Sequence, residues 1–99
     1  MKIQTIARKV PLRPTLRTFV HRHIAEVLQR FILSISSVDV ELRDKNGRRG
    51  GADKRCRIRV LLATGAPVVV EEENASVRHA VRQAAARAAS QIRAALRRL

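Results

Sequence analysis

Tryptophan and tyrosine are missing from the chain, and Phe19 and Phe31 are its only aromatics. That leaves little from which to build an aromatic platform for single-stranded bases. One cysteine, Cys56, excludes an internal disulfide and a cysteine metal cluster, and fits a reducing compartment such as the cytoplasm. The longest near-apolar stretch, Val60 to Val70, is too short and too interrupted to span a bilayer. The N-terminus has no apolar segment of the secretory kind. Residues 1–25 lack acids, as transit peptides do, but Pro11, Pro14 and the strand-like start argue against that reading. Acids are the scarcest charge: 8 against 21 Lys plus Arg, a formal net charge of +13. Such a balance points to a polyanion partner rather than to an acidic protein or a small apolar ligand.

What is present suits one small α+β domain. At 99 residues and 45% hydrophobic, the chain can bury one modest core. Lys2 to Arg8 alternates loosely as a first strand, and Val10-Pro-Leu-Arg-Pro14 is a connector. Leu16, Val20, Ile24, Val27 and Phe31 recur at helical spacing, which predicts a helix over 14–31 with Pro14 in its first turn. Ser34 to Ser37 reads as a loop. Val38, Val40 and Leu42 alternate with Asp39, Glu41 and Arg43 as a half-buried strand. A polar, glycine-rich loop over 44–53 follows, then a strand over Lys54 to Ala63, a turn at Thr64-Gly65-Ala66, and a strand over Pro67 to Glu72. Asn74 or Ser76 caps a last helix with the apolar stripe Val77, Val81, Ala84, Ala88, Ile92, Ala95 and Leu99. The predicted fold is β-α-β-β-β-α, with both helices on one face of a four-stranded sheet. The other face then shows Asp39, Glu41, Arg43, Arg55, Arg57, Arg59 and Glu71.

The last helix carries the sharpest functional signal. At about 100° per residue, Arg78, Arg82, Arg93 and Arg97 fall on one stripe, with Arg87 and Arg98 further round the solvent side. No acid follows Glu73. Soluble helix faces mix signs, because like charges at i,i+4 repel, and Arg78–Arg82 and Arg93–Arg97 are such pairs. The stripe therefore reads as a ladder for phosphates rather than an ordinary solvated face. Arg13, Arg17, Arg22 and Arg30 add charge to the first helix, and Arg8 and Lys9 can extend the surface. Arg78, Arg82, Arg93, Arg97, Arg87, Arg17, Arg22, Arg8 and Lys9 are the candidate nucleic-acid-binding residues. Gly47-Arg-Arg-Gly50 has the GxxG form of KH domains; there the loop joins two helices, whereas here it lies between strands and reads as a connector. His21 and His23, two apart on a helix, face differently and make poor joint metal ligands. No acid pair, nucleophile–base set or phosphate loop stands out, so no catalytic residue, metal or cofactor is expected.

Leu16-Arg17-x-Phe19-Val20 with Ile24, Val27 and Arg30-Phe31; Val38-x-Val40-x-Leu42; Gly50-Gly-Ala-Asp-Lys54 leading into Cys56-x-Ile58-x-Val60; and Val68-Val69-Val70-Glu71 before a helix with Ala80-Val81 occur in an order and spacing with a family likeness. The chain resembles the ribosome hibernation promoting factor and ribosome-associated inhibitor family, also called sigma-54 modulation proteins. The resemblance implies a dsRBD-like fold and binding to ribosomal RNA in the decoding region of the small ribosomal subunit. It also implies a block of the mRNA and tRNA sites under stress or in stationary phase. It implies a cytoplasmic, non-enzymatic protein without a small-molecule substrate or membrane partner. Ending at Leu99, the chain looks like the short type, without the extension that dimerises ribosomes, a task then left to a separate factor. Where the family often has an acid and a tyrosine opening the last helix and an acid after the Ala-Ile pair, this chain has Ser76, Arg78 and Arg82. A general double-stranded RNA or DNA binder of the same fold is the competing expectation.

Overall fold

Alternation along residues 35–74 builds most of a sheet, and two amphipathic helices close over one side of it. The computed structural model describes residues 1–45 and 53–99; the Gly47–Gly50 motif lies outside them. The order is β1 (Lys2–Arg8), α1 (Pro14–Leu28), a 3₁₀ segment (Gln29–Ser34), β2 (Ile35–Asp44), β3 (Lys54–Leu62), β4 (Val68–Asn74) and α2 (Val77–Arg97). The sheet runs β1-β2-β3-β4. β1 pairs with β2 in parallel, from Lys2↔Ser37 to Arg8↔Arg43, and α1 makes the crossover. β2, β3 and β4 form an antiparallel meander in which Val40 faces Ile58 and Ile58 faces Val70.

Period-two alternation sends Val38, Val40 and Leu42, then Cys56, Ile58 and Val60, then Val68 and Val70 to the covered side. Val20, Ile24 and Leu28 of α1 and Ala80, Val81, Ala84, Ala85, Ala88 and Ile92 of α2 meet them there. The alanines of α2 are short enough to bring its backbone close to the sheet and to α1. On the strength of about 25 cal/mol per Å² of apolar surface removed from water, this one core is the main source of stability.

Several boundaries differ from expectation: β3 ends at Leu62 rather than Ala63, β4 begins at Val68 rather than Pro67, and three differences are larger. The helix predicted to reach residue 31 leaves α geometry after Leu28 and tightens into the 3₁₀ segment. A 3₁₀ turn rises about 2.0 Å per residue against 1.5 Å, which carries the chain from the helix layer down to the sheet. Ile35–Ser37, read as a loop, belongs to β2: Ile35 is buried opposite Leu62, and a register shift between Ile35 and Ser37 absorbs the exposed Ser36. β4 runs two residues further than Glu72, because Glu73 and Asn74 pair with Arg55 and Lys54. Leu99, placed on the apolar stripe, lies beyond the end of α2 and is 75% exposed.

Candidate nucleic-acid interface

α1 starts at Pro14, whose missing N–H costs nothing in a first turn. α2 starts where the Ser76 hydroxyl accepts from the His79 N–H at 3.4 Å and the Asn74 carboxamide accepts from the Ser76 N–H at 3.1 Å. The two helices lie side by side, so their outward faces make one surface. Arg78, Arg82, Arg93 and Arg97 are all exposed on α2, over about 28 Å of helix axis. Arg17 and Arg22 are exposed on α1.

Charge is sorted between the two sides of the sheet. Of the 8 carboxylates, Glu26 alone lies on a helix; Asp39, Glu41, Asp44, Asp53, Glu71, Glu72 and Glu73 lie on or beside the strands. Among the described residues, all of these but Asp39 meet basic partners there. Glu71 lies 3.6 Å from Arg57 and 3.9 Å from Arg55, Glu73 lies 2.9 Å from Lys45, and Asp44 and the buried Asp53 flank Lys54 at 3.3 and 3.0 Å. The hydrogen bond from Lys54 to Asp53 raises the Lys54 pKa above its ordinary value, with partial burial pulling the other way and Asp44 adding to the rise. Among the described residues, no carboxylate lies within ion-pair distance of Arg17, Arg22, Arg78, Arg82, Arg93 or Arg97. Unpaired guanidinium groups keep their full attraction for phosphate.

The candidates divide. Arg22, Arg78 and Arg82 converge on one groove between the helices, which Thr15, Thr18, Phe19, His23 and Glu26 also line. Arg17 sits on the far side of α1, beside His21. Arg93 and Arg97 continue the ladder along α2. Arg87 turns away: its guanidinium lies 2.9 Å from the Glu72 carboxylate and donates to the Glu71 carbonyl, tying α2 to β4. Arg8 leans over the open sheet face towards Glu41, 3.5 Å away. Lys9 is exposed and holds φ at 61°, the left-handed region that side chains with a Cβ seldom enter.

Sequence reasoning missed the floor of the groove. The Arg78 and Arg82 guanidinium carbons lie 4.6 and 5.3 Å from the Phe19 ring centre. The His23 ring lies parallel to Phe19, 5.5 Å away at 7°. The i,i+4 spacing of Phe19 and His23 was the available signal; their contact with α2 depends on helix packing. Among the described residues, no three His, Cys, Asp or Glu side chains gather where they could hold a metal ion. No described helix is long and apolar enough to cross a membrane.

The family model described as sigma 54 modulation protein / S30EA ribosomal protein matches residues 3–99. Among solved structures, the chain is similar to the N-terminal domain of Protein Y from Thermus thermophilus, with a TM-score of 0.77 and 27% identity over 93% of this chain and 96% of that one. It also shares its fold with a ribosomal subunit interface protein from Coxiella burnetii, with a TM-score of 0.78 and 19% identity over 92% of each chain. No curated protein sequence matches it.

Proposed function

Because the chain belongs to the sigma 54 modulation protein / S30EA ribosomal protein family, we propose that it is a ribosome-bound inhibitor of translation that grips ribosomal RNA in the decoding region of the small subunit. It acts by occupation: arginines on α1 and α2 neutralise phosphates, and the rigid body of the fold fills the path of mRNA and tRNA. No bond is made or broken. The protein works in the cytoplasm, under stress or in stationary phase, when idle ribosomes are stored.

One observation carries the reading. Six exposed arginines, Arg17, Arg22, Arg78, Arg82, Arg93 and Arg97, lie on the helical side with no carboxylate in ion-pair distance among the described residues, while on the open sheet face Arg55 and Arg57 share Glu71 and Arg8 meets Glu41. Contacts of this kind position a protein on a phosphate backbone and weaken steeply with salt. Sucrose-gradient sedimentation tests it. The protein should travel with small subunits at low salt and return to the top at high salt. Arg82→Glu with Arg93→Glu should stay near the top throughout. Protein that remains free at low salt, or that an equal mass of duplex RNA strips from the subunits, refutes the proposal, and the second result favours a general duplex binder.

A further inference from the structure

With no tryptophan or tyrosine, the chain lacks the usual means of holding an unstacked base. The structure supplies another. Phe19 projects from α1 under two guanidinium groups of α2, Arg78 at 4.6 Å and Arg82 at 5.3 Å, with the parallel His23 ring beside it. Guanidinium is planar, weakly hydrated and stacks on aromatic faces, and bases stack on guanidinium planes in turn. Phe19 is partly buried against the core, so the ring is fixed and the two long side chains above it are held rather than free. Ordering them in advance lowers the cost of binding. Around this surface stand Thr15, Thr18, Arg22 and, at one end of the lining, Glu26, in a groove of about 400 Å³ where three guanidinium groups outnumber the single carboxylate, within the size range of small-ligand sites, roughly 300–1,000 Å³.

We infer that the groove between α1 and α2 takes one unpaired nucleotide of a single-stranded RNA, its base laid on the guanidinium planes of Arg78 and Arg82 and its phosphate met by Arg22. The inference rests on the RNA-binding reading and names the form of RNA that the site selects. In a duplex the base faces are stacked on one another, and the deep, narrow major groove of A-form RNA keeps side chains from the base edges. The ladder of Arg93 and Arg97 serves any phosphate backbone; the groove serves an open strand.

The test compares a twelve-nucleotide single strand carrying one 2-aminopurine with the duplex made from it. The wild-type protein should bind the single strand more tightly and quench the 2-aminopurine. Arg78→Lys keeps the charge, removes the flat group and leaves the core untouched. It should lose about tenfold in single-strand affinity and most of the quenching, a loss severalfold larger than the one it shows for the duplex. Phe19→Leu should show the same selective loss, with circular dichroism confirming its fold. Equal losses for both RNAs, no loss for either, or a wild-type protein that prefers the duplex overturns the inference. Protein that co-sediments with small subunits yet gives no quenching removes the nucleotide site alone; protein that binds neither subunits nor RNA removes both readings.

Discussion

Cys56 faces Leu42 and Glu72 across the sheet and is fully buried. Burial disfavours the thiolate and pushes its pKa from 9.0 up to about 12. Above pH 9 the unfolded chain gives up this proton while the native chain keeps it. Stability therefore falls as pH rises from 9 towards 12, by up to about 1.4 kcal/mol per pH unit for this group. Urea unfolding at several pH values from 8 to 11 should show wild type losing stability faster than Cys56→Ala, and equal slopes would disprove the assignment. Its inward position was legible from the alternation with Ile58 and Val60. Arg87 was not legible in the same way: helical geometry put it on the solvent side, but only the docking of α2 on β4 decides that it spends its charge on Glu72.

At the scale of elements, α2 depends on how it begins. Its first turn has no acid, and Ser76 supplies the one side-chain cap. Ser76→Ala should cost about 1 kcal/mol in urea unfolding. Ser76→Asp should keep the cap, add a charge favourable to the helix dipole, and leave stability equal or higher. The same carboxylate, two residues from Arg78, should weaken RNA binding severalfold, so stability and affinity move in opposite directions; a parallel change in both would refute the argument. The order of elements, the two-helix layer and the inward residues of β2 and β3 could be read from period alone. The 3₁₀ segment could not, because Phe31 keeps helical spacing while the chain must descend to the sheet. Nor could the start of β2, since Ser36 and Ser37 look like a loop until β1 and β3 pair on either side. The floor of the groove stayed hidden for a related reason: Phe19 and Arg78 are 59 positions apart and meet only after both helices dock.

For the molecule as a whole, segregation of charge sets the response to salt. If Arg17, Arg22, Arg78, Arg82, Arg93 and Arg97 each meet a phosphate, the plot of log affinity against log salt should have a slope of roughly −4 to −5. Arg93→Glu with Arg97→Glu should flatten it by about 2. Arg57→Glu, on the ion-paired sheet face, should leave it unchanged within error; a comparable flattening would place RNA on the wrong side of the sheet. Like the helix faces, this asymmetry follows from the sequence, which puts seven of eight carboxylates on or beside strands; Glu72, which meets α2, is taken by Arg87. The parallel pairing of β1 carries a consequence of a different kind. Every β1 residue meets its partner 35 positions further along, whereas β2, β3 and β4 join neighbour to neighbour. β1 also brings the poorest inward row, Ile3, Thr5 and Ala7, and the Thr5 hydroxyl is buried without a partner. So long a closure for so little apolar gain predicts that, of the four strands, β1 exchanges its amide hydrogens fastest, and slower exchange in β1 than in β4 would refute it. Lys9 follows its last residue; if RNA holds Lys9, binding and the pairing of this edge strand become one equilibrium, and exchange of the β1 amides should slow when RNA is added.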